Sequence, residues 1–255
     1  CAMGGVFLPA PACSVPGFTQ DYEQSAVAIY GTGNADRNWV SSGVISPANV
    51  ELKLRSTERG GVAANSNGDG VYVHRTGAST TPACPASVPP CGAWTIDFSI
   101  DVDPTGTGTQ FLDEATLTFD LRIDSDAGPG TTFSASGDPT DPSAAPFGAA
   151  FGTSSTANGA GTATADPGVF ATLAASNTIL QNSINLAFLR PAPFSFPYDE
   201  SVEGCYSVEL SASLSGTEVG RIGIVVAVTG SQSLTCDSLT ASPDLTLTVY
   251  DALSN

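Results

Sequence analysis

The sequence predicts an all-β protein: an antiparallel β-sandwich of jelly-roll or Ig-like type, disulfide-bonded, with a long Gly/Ala/Ser/Thr-rich excursion. Three observations predict it. From Cys205 to Val228 the chain reads as two strands around a tight turn. Tyr206, Val208, Leu210 and Ala212 alternate with Ser207, Glu209 and Ser211; Ser215-Gly216-Thr217 turn the chain; Ile222, Ile224, Val226 and Val228 fall at every other position. A period of two puts the apolar side chains of a strand on one face, as in a half-buried sheet. Trp94 to Val102 (WTIDFSIDV) and Ala115 to Ile123 (ATLTFDLRI) alternate as cleanly. Finally, 27 Gly and 18 Pro in 255 residues argue for many turns and against long helices.

Taken in chain order, residues 1–20 (CAMGGVFLPAPACSVPGFTQ) form an apolar, Pro-punctuated arm. One β-sandwich domain is expected over 21–230. Ala26 to Tyr30, Val44 to Ile45, Val50 to Leu54 and Val71 to His74 are its earlier strand candidates, ahead of the two clean ones. Residues 128–178 are dominated by Gly, Ala, Ser, Thr, Pro and Asp and read as a surface excursion, partly ordered at best. Sheet returns over 179–229. The tail, 231–255, ends in one more alternating strand, LTLTVY, from Leu245 to Tyr250.

The charge pattern excludes some partners. There are 25 acidic residues against 8 Lys plus Arg, a net charge of −17, yet only 13% of the chain is charged. The excess comes from missing lysine, Lys53 being the only one, rather than from acidic runs. Nucleic acid and anionic membranes need clustered cations, so neither is an expected partner. No transmembrane run or leader is visible, and a secreted form would have lost its leader or carry it outside these residues.

The six cysteines form sequence-local couples: Cys1 with Cys13, Cys84 with Cys91, Cys205 with Cys236. Fifteen connectivities are open to six cysteines, and proximity favours these three pairs. There is no CxxC and a single histidine, which does not suit structural zinc. Disulfides point to an oxidising compartment. Cys1 could instead be a lipidated N-terminus, at the cost of leaving an odd thiol.

Five signatures then occur in order. They are Leu54-Arg55; Asn67-Gly68-Asp69-Gly70-Val71-Tyr72; Trp94 with Ser99-Ile100; Gln181-Asn182-Ser183 with Asn185 and Phe188; and Gly204-Cys205-Tyr206 with Leu210 and Ala212. Over roughly 50–229 this order resembles a group of secreted bacterial proteins carrying PEP-CTERM surface-sorting tails. The chain departs from the pattern in lacking the anchor, in having Ile184 where an aromatic is usual, and in its cysteines. The resemblance implies an extracellular or cell-surface role in a diderm bacterium and no catalytic residues.

Candidate sites each have a plainer reading. Asn65, Asn67, Asp69 and Gly70 mimic half of a calcium loop, but Thr76 stands where the bidentate Glu belongs. An Asn-Gly or Asp-Gly turn explains the same residues. Asp124 with Asp126, and Asp101 with Asp103, place carboxylates in pairs at strand ends; they are further calcium candidates or simple strand terminators. His74, the only histidine, would have to serve any Ser-His-Asp or Cys-His device, and no G-x-S-x-G elbow exists. A solvent-facing or structural role on a sheet is expected for it. Trp94 reads as core, whereas Trp39, after GNADRN, reads as more exposed and able to stack on a sugar.

Both ends carry apolar segments, and strand-like chain ends can pair with the open sheet edge of another copy. Val6, Phe7, Leu8, Leu245, Leu247 and Val249 are the assembly candidates. Head-to-tail repetition of such a contact makes filaments. The expectation is therefore a non-enzymatic extracellular structural protein, a surface or matrix component or filament subunit, with no cofactor and with itself or a surface polysaccharide as partner. The alternative is a carbohydrate-binding or adhesion module, with calcium as its one candidate cofactor; a secreted hydrolase ranks third.

Overall fold

A computed structural model of the chain describes residues 13–15, 17–31, 36–60, 66, 68–79, 90–128, 130–141, 149–191 and 195–230. Twelve strands run β1 (Asp21–Gln24), β2 (Trp39–Ile45), β3 (Val50–Glu58), β4 (Val71–Arg75), β5 (Trp94–Asp101), β6 (Leu117–Asp124), β7 (Phe133–Gly137), β8 (Ala149–Gly152), β9 (Thr162–Thr164), β10 (Ile179–Ile184), β11 (Gly204–Leu214) and β12 (Thr217–Thr229). They make a seven-stranded sheet in the order β1-β2-β3-β5-β10-β8-β9 and a five-stranded sheet in the order β4-β12-β11-β6-β7. All neighbours are antiparallel except β4 and β12, which are parallel. The all-β sandwich expected from the alternation is what forms.

The core lies between the two sheets. The larger contributes Val50, Leu52 and Leu54 from β3 and Trp94, Ile96, Phe98 and Ile100 from β5. The smaller contributes Phe119, Leu121 and Ile123 from β6, Tyr206, Val208 and Leu210 from β11, and Ile222, Ile224, Val226 and Val228 from β12. These are the alternating positions of the sequence, so each strand presents one apolar face inward. Truncating any of these large side chains to Ala costs about 2–5 kcal/mol. The closing hairpin turns at Ser215 and Gly216, whose φ angles of 51° and 79° are the left-handed values a tight hairpin needs.

Four expectations are corrected. The described part of the 128–178 excursion contributes to both sheets: β7 pairs with β6, and β8 pairs with β10 and β9. It also carries the helix α1 (Pro167–Ala174), with Pro in its first turn and Asp166 as N-cap accepting from Gly168 and Val169 N–H. Phe170 of α1 meets Phe151 of β8 edge-on at 4.8 Å between ring centroids, so a segment of small residues is pinned by two aromatics. Second, the strand expected over Ala26 to Tyr30 is an irregular crossing segment; β1 precedes it. Third, Trp39 is fully buried rather than exposed. Fourth, Cys13 bonds Cys205, 192 residues away, and neither local pairing Cys1–Cys13 nor Cys205–Cys236 forms. Cys91 is disulfide-bonded. Cys1, Cys84 and Cys236 lie outside the described residues.

Candidate functional site

The outward positions of the large sheet are polar, as alternation requires, but they are buried. Thr95, Asp97 and Ser99 of β5 lie beside Arg55 and Thr57 of β3 and Gln181 of β10, all nearly inaccessible. The segment before β2 crosses over them. Among the partners of the Arg55 guanidinium, Nε donates to Asp97 Oδ2 at 2.8 Å, Nη1 to Arg37 O at 3.0 Å and Nη2 to Tyr30 Oη at 3.0 Å. Its carbon Cζ sits 4.2 Å over the Trp39 ring. Gln181 clamps the same segment from β10, donating to Val27 O at 3.0 Å and accepting from Ile29 N–H at 2.8 Å. Burial, reinforced by the Asp97 carboxylate, raises the Tyr30 hydroxyl well above its ordinary range, so it stays protonated.

Beyond Tyr30 this face opens into a groove of about 520 Å³ between the crossing segment and the β8–β9 edge. Tyr30, Asn182, Thr164, Ala150, Ala163 and Gly161 are among its lining residues.

The outer face of the small sheet is arranged differently. Val225 and Ala227 on β12 and Val71 on β4 point outward by parity, yet all are buried. Residues 13–15 and 17–20 strap this face. Cys13 is bonded to Cys205 at one end of β11, and Gln20 exchanges two hydrogen bonds with the Gly223 backbone, at 3.0 and 2.9 Å. A Cβ on Gly223 would stand 2.8 Å from the Phe18 ring, and one on Gly70 would stand 3.2 Å from Val15. Farther across the face, Glu209 joins Arg122 and Arg221, and Arg221 also reaches Glu218.

The sequence-derived candidates fall in separate places. Asp69 Oδ1 accepts the Val71 N–H at 3.1 Å, an Asx turn flanked by Gly68 and Gly70 at φ 88° and 85°. Asp124 is buried and accepts from the Asp126 and Thr132 backbone at 2.9 and 2.7 Å; Asp126 in turn accepts from Gly128 N–H at 2.8 Å. Asp103 accepts from Thr107 N–H and from Asn49 Nδ2, at 2.9 and 3.1 Å. These carboxylates stitch turns. Among the described residues no three His, Cys, Asp or Glu gather closely enough to hold a metal ion. Asn65 and Asn67 lie outside the described residues, as do Val6, Phe7, Leu8, Leu245, Leu247 and Val249.

His74 forms a pair the sequence did not reveal. Its Nε2 is 2.9 Å from Ser56 Oγ, and its ring stacks 6.1 Å from Trp94. A Ser–His contact resembles half of a hydrolytic triad. However, Ser56 is completely buried and lies 2.7 Å from Thr95 O, to which its one proton is donated. That leaves His74 Nε2 as the N–H donor to Ser56, the wrong way round for a general base. The pair cross-links β3 to β4. Asn185, from the segment used for the resemblance, works similarly: it accepts from Gly92 N–H and donates to Gly92 O and Trp94 O at 3.1, 2.9 and 2.7 Å.

No family model, curated protein or solved structure matches this chain. Among the described residues no helix is long and apolar enough to cross a membrane.

Proposed function

We propose that this chain is a non-enzymatic structural protein of the cell exterior, a surface or matrix component that assembles with copies of itself through its terminal segments. One observation supports the reading: residues 13–15 and 17–20, ahead of β1, lie on the outer face of the small sheet and are fastened there by Cys13–Cys205. A strap held by side chains and one covalent bond can make the same contacts on another copy. The disulfide suits an oxidising compartment, which supports the exterior placement.

Mixing a Cys13→Ser variant with a Cys205→Ser variant tests it. The first keeps the acceptor sheet cysteine and the second keeps the strap cysteine. A covalent heterodimer on a non-reducing gel, with Cys13 and Cys205 mapped to its junction by peptide mass spectrometry, is the expected result. Monomers alone would refute exchange. A second reading, a carbohydrate-binding or adhesion module, has the groove beside Tyr30 in its favour rather than the buried Trp39.

A further inference from the structure

We propose that the Cys13–Cys205 bond is a redox latch: a dithiol reduces it in the folded chain, and the strap then lifts off the small sheet while the sandwich keeps its fold. The latch regulates the face that the assembly reading uses and rests on that reading for its purpose, but its own readouts need only the monomer.

Access singles this bond out. Thiol–disulfide exchange requires a thiolate to reach a sulfur. Cys13 and Cys205 are both half-buried. Cys91, which is also disulfide-bonded, has no exposed surface. A dithiol therefore meets Cys13–Cys205 first. One thiolate of the reductant attacks one cysteine sulfur, forms a mixed disulfide and expels the other cysteine. The second thiol of the reductant then closes its own disulfide and releases the first cysteine. Two electrons and two protons pass from the dithiol to the cystine, which becomes two thiols.

The strap is anchored unevenly. Its C-terminal end runs into β1, where Asp21 pairs with Ser41 of the large sheet. Just ahead of that, the Gln20 amide copies a strand residue: it donates to Gly223 O at 3.0 Å and accepts from Gly223 N–H at 2.9 Å. Farther out the contacts are apolar, Phe18 against Gly223 and Val15 against Gly70. Cys13 is the covalent tie at the far end. With that tie cut, two apolar side chains must hold the outer half against the backbone freedom it regains on release. The hinge lies at Gln20, so the sheets themselves keep their pairing. Lifting the strap uncovers Val225, Ala227 and Val71, which face outward and are buried. That face then becomes open to the strap of a second copy.

Stepwise reduction of the full oxidised chain tests the latch. Free thiols are blocked first, and the chain is held at a concentration at which it is monomeric. Dithiothreitol is added, samples are quenched with iodoacetamide, and the alkylated cysteines are mapped by peptide mass spectrometry. Hydrophobic-dye fluorescence and circular dichroism are followed in parallel. Cys13 and Cys205 should be alkylated at least about tenfold faster than Cys91. Dye fluorescence should rise severalfold in step with them, with the circular dichroism unchanged, and should fall again when the dithiol is replaced by oxidised glutathione. A Cys13→Ser, Cys205→Ser double variant should bind dye as the reduced parent does and ignore the dithiol. The proposal is overturned if Cys91 is alkylated as early, if Cys13 and Cys205 react without a rise in dye binding, or if dye binds only as the circular dichroism is lost. A double variant that still responds to the dithiol would place the switch at another bond and overturn it too. A parent that forms no assemblies leaves these readings unaffected, so the latch and the assembly reading fail separately.

Discussion

Arg55 Nε lies 2.8 Å from Asp97 Oδ2 on neighbouring strands, and each side chain is 1% exposed. Both sit on the face of the sheet that alternation assigns to solvent. The pair survives burial because the Tyr30 hydroxyl, the Arg37 carbonyl and the Trp39 ring complete the guanidinium's surroundings, while Thr57 Oγ1 donates to Asp97 at 3.2 Å. Removing one partner leaves the other charge buried and unpaired. Asp97→Leu should therefore cost about 3–5 kcal/mol in urea unfolding, and adding Arg55→Met should recover most of it. A single variant as stable as the parent would show that the face is wetter than described.

The pH dependence follows from two groups of opposite sign, the buried His74 and the half-buried Asp101. Burial holds the His74 imidazole down to about 4. The unfolded chain, near about 6.5, takes the proton first, so this stability is complete above about pH 6.5 and lost as pH falls through about 4, about 3 kcal/mol in all. Burial pushes the Asp101 carboxyl up to about 6. Here the folded state holds the proton more tightly, so its contribution is present at low pH and lost as pH rises through about 6. The two oppose each other between about pH 4 and 6. Asp101→Asn should steepen the loss of stability on acidification relative to the parent, and His74→Phe should reduce it. Denaturant midpoints at about pH 4.5 and 6.5, bracketing these transitions, check both.

Breaking the strap's bond has a size and a symptom. Cys13–Cys205 closes a loop of 192 residues. Chain entropy alone gives about 5 kcal/mol for such a loop, and measured disulfides usually give about 2–4. Cys13→Ser should lose an amount in that range and bind a hydrophobic dye more strongly, because Val225, Ala227 and Val71 lose their cover. Unchanged dye binding would mean that the strap stays in place without its bond.

Gly204 is a backbone contact rather than a turn convenience. A Cβ there would stand 2.1 Å from Ala127 O, while Cys205 N–H donates to that same oxygen at 3.2 Å. Gly204→Ala must separate β11 from the loop after β6 and should lower the thermal midpoint by at least about 2–4 °C, the shift that about 1 kcal/mol gives in a domain of this size. Gly17→Ala, with nothing within 4 Å of the added carbon, should leave it unchanged.

Much of the architecture was legible because alternation reports inward faces directly: Tyr206, Val208 and Leu210, or Trp94, Ile96 and Phe98, are buried as read. What covers the outward faces was not legible. Asp97 and Ser99 look like solvent-facing residues until the crossing segment is placed over them. The unbroken run Val225-Val226-Ala227-Val228 did carry a signal, since a strand apolar at both parities is covered on both sides. Trp39 was misjudged for the same reason. The disulfide was misjudged because proximity along the chain says nothing of a strap that returns to a strand 192 residues later. The excursion has few large side chains, Phe151 and Phe170 among them, so its strands depend on pairing with β6 and β10 rather than on local propensity. The groove beside Tyr30 depends on Ala and Gly positions whose meaning appears only once they are folded together.

The central claim is assembly through terminal segments, and electron microscopy of the full oxidised chain tests it most directly, beside Leu8→Asp and Leu247→Asp variants. The account predicts regular fibres or sheets for the parent and dispersed particles for either variant, with the sandwich still folded by circular dichroism. A parent that stays a monodisperse monomer at every concentration, or variants that assemble as it does, would contradict it.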